Sequence, residues 1–272
     1  MTLLDPGERS QRGQEQQQKI LDQEKTEPGS LLESSWRDYI FAEVWSRPGL
    51  DLRARYLISL SSAAANAAPD TQLDGYVRGA LAQQLLSPTE LREAALHLAI
   101  YSGWSKGTLL DESISRVLSV LDLSEPDCPP IRAEAWAPQE RMDKGAAEFE
   151  KVMTFGGPPP VSAYFEGGIL NFVFGEAWCR EGLDQRARRW VTLVGVADSS
   201  ADTPIRTHIY GAMASGNASY EEMNEFVLQY AIHSGWPRAS VVQGVVMEMA
   251  GKIKNGLFWD GSELEKTDES GE

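Results

Sequence analysis

The chain has 272 residues, 42% of them apolar and 24% charged, with eight tryptophans, enough core material for one or two globular domains. Its formal charge of −15 excludes the basic face that nucleic acid or an anionic membrane requires of a partner. No stretch approaches the roughly 18 apolar residues of a membrane span, the polar start Met1 to Glu27 lacks a signal-peptide core, and Cys128 and Cys179 are too few for a disulfide framework, so a cytoplasmic protein is expected.

In chain order, a polar leading helix over Arg9 to Leu21 stops before Pro28, and the string Phe41 to Arg55 follows it. Leu50-Asp51 then precedes a run from Leu52 to Ala68 that suits a long buried helix begun by an Asp cap. Ser87-Pro-Thr-Glu90 is a capping box with proline at the first helical position, and Leu91, Ala94, Ala95, Leu98 and Ala99 form one apolar helix face behind it. Ser102-Gly103 ends that helix, with glycine free to take a left-handed terminating conformation. Ser124 to Pro138 carries four prolines and reads as an irregular connector.

The same signals then recur at an offset of 132 to 133 residues. Phe41 to Arg55 returns as Phe174 to Arg188 with ten of fifteen positions identical, including Glu43 and Glu176, Trp45 and Trp178, Arg53 and Arg186, and Arg55 and Arg188. Gly13 maps onto Gly145, Pro28 onto Pro160, Ser87…Glu90 onto Ser219…Glu222, and Ser102-Gly103-Trp104 onto Ser234-Gly235-Trp236. Two repeats are therefore expected at 5–120 and 139–258, joined by a linker at 121–138 and followed by a solvated acidic tail at 259–272. No alternating strand pattern is present, so the fold class is all-α: two tandem helical repeats packed as a pseudo-dimer.

The Glu-x-Trp-x-Arg-Pro-Gly-Leu-Asp-x-Arg-x-Arg segment, the leading helix, the His-x-x-x-Ala segment and the closing Tyr-x-Gly turn together resemble the carboxymuconolactone decarboxylase family, within the alkylhydroperoxidase-like group. The resemblance implies a compact helical fold and ring assembly, so a homo-oligomer is expected, with a trimer of the tandem chain favoured. One branch of the group works through Cys-x-x-Cys and a histidine. Here Cys128 lies in the linker and Cys179 stands alone, so thiol peroxidase chemistry lacks its resolving partner. The resemblance implies instead a decarboxylase with no cofactor and no metal, acting on a small carboxylated lactone or cyclic oxo acid.

Such chemistry asks for a cation on a carboxylate, a group that takes up enolate charge, and an acid that returns a proton to carbon. Arginine suits the first because its planar fork binds carboxylate bidentately; histidine suits the last because its pKa lies near neutrality. His208 occupies the position of the family's functional histidine, and its counterpart in the first repeat is Tyr76. His233 likewise answers to Tyr101, and His97 to Gln229. His208 is thus expected as general acid/base, Glu176 as its partner and Arg186 as carboxylate clamp, with Trp178, Tyr210 and His233 lining the pocket. Tyr76, Glu43, Trp45 and Arg53 would form the corresponding binding half in the first repeat.

Bland readings stand beside these. The Asp-x-Arg-x-Arg element serves equally as an ion-pair network at a helix start, the tryptophans as core, His97 as a packing residue and His233 as a helix-end partner. A related proton-transfer isomerase or elimination enzyme, and a binding protein that kept the ring and lost the chemistry, are the alternatives.

Overall fold

A computed structural model of the protein describes residues 5–132 and 135–263. Of the acidic tail expected at 259–272, residues 264–272 lie outside the described residues. The described residues are all-α: α1 (Pro6–Leu21), α2 (Leu31–Ser35), π1 (Trp36–Val44), α3 (Leu52–Ala65), α4 (Asp70–Ala82), α5 (Pro88–Ser102), α6 (Trp104–Val120), α7 (Pro138–Met153), π2 (Tyr164–Trp178), α8 (Gln185–Ser199), α9 (Asp202–Ala214), α10 (Tyr220–Ser234) and α11 (Trp236–Lys254). A single antiparallel bridge, Leu257 with Glu263, is the extent of β pairing among them. None of these helices is long and apolar enough to cross a membrane.

Local sequence chemistry explains where the helices begin. Ser87 Oγ accepts from the Glu90 amide at 3.2 Å while Glu90 accepts from the Ser87 amide at 2.8 Å, and Ser219 and Glu222 do the same at 3.1 and 2.8 Å. Asp51 and Asp184 each accept from the amide three residues on, at 2.8 Å. The helix ends at Ser102 and Ser234 come where expected, with a correction to the turn. Gly103 (φ 96°, ψ 149°) and Gly235 (φ 85°, ψ 151°) are extended at positive φ and lie outside the left-handed helical region. They redirect the chain into α6 and α11 at once.

The segments leading into the doubled motif are π-helices, which the apolar spacing gave no means of telling from α. Glycine explains how each is covered. A β-carbon on Gly13 would stand 2.1 Å from the Arg37 carbonyl oxygen, and one on Gly145 would stand 1.8 Å from that of Leu170. Both positions sit where backbone meets backbone, and only glycine permits that approach.

α3 and α8 are buried along nearly their whole lengths and pack on each other; α10 lies on α3, and α5 on α8. Each central helix is thus covered by a helix from the other half of the chain. The main apolar core runs through both halves, whereas Phe149, Val152, Met153, Phe174 and Trp178 form a separate small cluster. A polar seam divides the two.

Candidate functional site

Most charges of the doubled motif are spent on joining the halves. Arg47 and Arg55 converge on Glu225 at 2.6 and 2.9 Å, and Arg180 and Arg188 converge on Glu93 at 2.6 and 3.1 Å. Burial works against the Glu225 carboxylate, but bonds from Arg47 and Arg55 outweigh it and hold its pKa below the usual range. Arg53 bridges Glu90 (2.7 Å) and Asp184 (2.8 Å), and Arg186 bridges Glu222 and, at 3.1 Å, Asp51. Arg186, expected as carboxylate clamp, is therefore committed to two carboxylates of the protein, and Arg53 is committed in the same way.

The two glutamates of the motif are also engaged. Glu43 takes Arg9 at 2.6 Å, and Glu176 takes Arg132 at 2.7 Å together with Arg141. Arg141 in turn lies 5.0 Å from the centre of the Trp136 ring. These pairs tie π1 to α1, and π2 to α7 and the connector before it. Glu176 forms no hydrogen bond to His208 among the described residues, so the expected partnership is not made. Tyr210 is 3% exposed in the main core; two positions beyond His208, it lies about 200° around the helix. Cys179 donates to the Phe174 carbonyl at 3.1 Å, and burial pushes its thiol pKa up.

The seam in the second half gathers five side chains. Trp178 Nε1 donates to Tyr101 Oη at 2.8 Å, and the His97 ring stands edge-on to Trp178 with centroids 4.8 Å apart. The His208 ring meets Tyr101 edge-on at 5.4 Å. Arg189 places its guanidinium carbon 5.4 Å from the Trp178 ring centre. His97 Nε2 shares a hydrogen bond with Thr192 at 2.8 Å, while Nδ1 of His97 and Nδ1 of His208 are buried without partners. Of these residues, His208 and Trp178 are legible in the motif comparison; His97 and Tyr101, on α5, are brought in by the packing of α5 on α8, and Arg189, on α8, follows the doubled string by one position.

Arg189 is the unusual member. It is 0% exposed, its guanidinium reaches only the Val152 carbonyl, the Asn217 amide oxygen at 3.4 Å and the Met153 sulfur, and no carboxylate pairs with it among the described residues. A buried unpaired cation costs several kcal/mol by order of magnitude. Burial lowers its pKa to about 10, which still leaves it charged at neutral pH. Burial, followed by Arg189, lowers His208 to about 3, and burial holds His97 well below the usual histidine range. The site thus presents one cation, two neutral imidazoles and a phenol.

The first half repeats the layout with different chemistry. Trp45 stacks on Tyr76 (5.6 Å, 24°), Tyr76 Oη lies 3.2 Å from His233 Nε2, and Trp36 meets His233 edge-on at 5.7 Å. The place of Arg189 is taken by Tyr56, whose hydroxyl donates to the Ile20 carbonyl at 2.7 Å. Each half therefore pairs one histidine with one tyrosine, and the two types exchange places between the halves. No group of three or more His, Cys, Asp or Glu residues suited to a metal exists among the described residues.

Residues 31–108 match the model of the carboxymuconolactone decarboxylase family. The chain is 25% identical over 85 residues to a 4-carboxymuconolactone decarboxylase of Acinetobacter baylyi, covering 31% of this chain and 63% of that protein. It is 37% identical over 78 residues to a nitrosuccinic acid decarboxylase of Metarhizium robertsii, covering 29% of this chain and 51% of that protein. The chain thus spans between half and two thirds of the length of these relatives.

Proposed function

We propose that this chain, which belongs to the carboxymuconolactone decarboxylase family, is a carboxy-lyase acting on a small carboxylated lactone, cyclic oxo acid or similarly activated acid at the seam between α5, α8 and α9. The observation that carries the reading is the solitary buried Arg189 beside the neutral His208. A desolvated cation with no protein carboxylate among the described residues calls for an anionic ligand, and the ligand then supplies the counter-charge. Both relatives are named for decarboxylation of small acids, which fits that requirement.

In the proposed reaction the bond from carbon to carboxylate breaks and CO2 leaves. The electron pair passes to a neighbouring carbonyl or nitro group, whose oxygen gains negative charge beside the Arg189 guanidinium. His208 then supplies a proton to carbon. Its pKa of about 3 is set first by burial and then by Arg189, which opposes protonation. An arriving anion offsets Arg189 and raises the pKa, so His208 takes up a proton from solvent as the substrate binds. Tyr101, its oxygen already accepting from Trp178, orients the His208 ring. The reading needs no cofactor and carries with it a homo-oligomer, a trimer favoured, in the cytoplasm.

Release of labelled CO2 from carboxyl-labelled lactone, β-oxo and α-nitro acids tests it. Wild-type protein is expected to turn over at least one of these, and His208→Asn to lose about 100-fold or more, as removal of a general acid does. Equal rates in the two proteins, or no CO2 from any acid that binds, would overturn the reading.

A further inference from the structure

A cavity of about 850 Å³ opens on the first half of the chain, and Trp36 and His233 form part of its wall. It is a second place where a ligand can meet a histidine–tyrosine couple, because His233 Nε2 lies 3.2 Å from the buried Tyr76 hydroxyl. Its volume falls in the range of small-molecule pockets.

The charge around this cavity differs from that of the Arg189 site. No lysine or arginine lines it; its charged wall residues are Glu27 and Glu33, and the rest of its polar wall is made of neutral groups such as Gln72 and Asn66. The position that holds Arg189 in the second half holds Tyr56, and the hydroxyl of Tyr56 is used up on the Ile20 carbonyl and Gln83. Burial lowers His233 to about 4 and raises Tyr76, so both are neutral at physiological pH. An anion entering here would face two acids and lose its hydration without gaining a cation. An uncharged ring loses little and gains contact with Trp36 and a hydrogen bond from the imidazole.

We propose that the first half holds a second ligand site that takes an uncharged cyclic molecule bearing a carbonyl or hydroxyl oxygen, with the ring against Trp36 and the oxygen on His233. The two halves then select by charge: Arg189 admits the carboxylate, and the cavity beside Trp36 admits its neutral counterpart. The contrast with Arg189 rests on the proposed function, whereas the cavity site itself stands whether or not that reaction occurs.

Two probes of one shape separate the sites: 4-hydroxyacetophenone, which is neutral, and 4-hydroxybenzoate, which carries a carboxylate. Titration calorimetry of the full chain is expected to show 4-hydroxyacetophenone binding to wild type and to Arg189→Tyr alike, and about ten-fold more weakly to His233→Phe, with thermal melts confirming folded protein. Gln72→Arg, at a half-buried wall position of α4, adds the missing cation without touching the core. In the Arg189→Tyr background it is expected to create binding of 4-hydroxybenzoate. The proposal is overturned if wild type does not bind 4-hydroxyacetophenone up to its solubility limit, or if binding is unaffected by His233→Phe. It is overturned equally if Arg189→Tyr protein without the added arginine binds 4-hydroxybenzoate as tightly as the neutral probe.

Discussion

Arg189 lies with its guanidinium carbon 5.4 Å from the Trp178 ring and no carboxylate partner among the described residues, whereas Tyr56, its counterpart 133 residues earlier, ends in a satisfied hydroxyl on the Ile20 carbonyl. Arg189→Tyr therefore transplants a residue the fold already accommodates. Loss of a charge-assisted hydrogen bond is worth about 1.5–3 kcal/mol, so carboxylate affinity is expected to fall by about 10- to 100-fold. The melting temperature is expected to hold or rise, because an unpaired buried charge is removed. Calorimetry and thermal unfolding of the same two proteins check both halves; a fall in stability with unchanged affinity would mark Arg189 as structural.

The fold was largely legible, since capping boxes at Ser87 and Ser219 and Asp caps at 51 and 184 are local chemistry that tertiary context does not overturn. The site was less so. Residues that recur in both copies, Arg53 and Arg186 above all, turned out to be held by contacts that recur in both copies. Identity between repeats marks the shared scaffold, and difference marks the chemistry. Arg189 sits one position past the fifteen-residue string, opposite Tyr56, so its signal was present as a mismatch of charge inside an otherwise apolar helix pattern. His97 and Tyr101 also stand opposite different residues, Gln229 and His233, but nothing in those mismatches assigns them to the second half. They reach the second half only because α5 packs across onto α8, a relation that one-dimensional spacing does not contain.

Glu93 and Glu225 each neutralise two arginines from the other half, and Arg55 and Arg188 are fully or almost fully buried. Glu93→Gln or Glu225→Gln is expected to destabilise the chain by about 3–5 kcal/mol, since it leaves a buried guanidinium without its counter-charge. Urea unfolding measures this; a loss under 1 kcal/mol would show the pairs to be solvated in solution.

Acid stability follows from His208. Its folded pKa of about 3 lies below the unfolded value near 6.5, so the unfolded chain binds the extra proton between those limits. Stability is therefore full above about pH 6.5 and falls as pH drops toward 3, by at most about 1.4 kcal/mol per pH unit for this group. His208→Asn is expected to flatten that slope, with the slopes from His97, held well below the usual range, and from His233, lowered to about 4, remaining. Denaturation midpoints from pH 7 to pH 4 give the comparison, and parallel slopes in the two proteins would place His208 in solvent.

Carboxylate binding should draw in a proton. At pH 6 burial and Arg189 hold His208 neutral, and an anion beside Arg189 raises its pKa. Calorimetry of 4-hydroxybenzoate binding in buffers of different ionisation enthalpy is expected to reveal net proton uptake by wild type and none by His208→Asn. Zero uptake in wild type would remove His208 as the proton carrier.

The proposed function requires that the seam between α5, α8 and α9 receive a carboxylate. A crystal structure of the protein with a bound, unreactive carboxylate analogue tests it most directly. The carboxylate is expected within hydrogen-bond distance, about 3 Å, of the Arg189 guanidinium and beside the His208 ring. A carboxylate seated on Arg186, displacing Asp51 or Glu222, with the Arg189 site left without ligand, would contradict it.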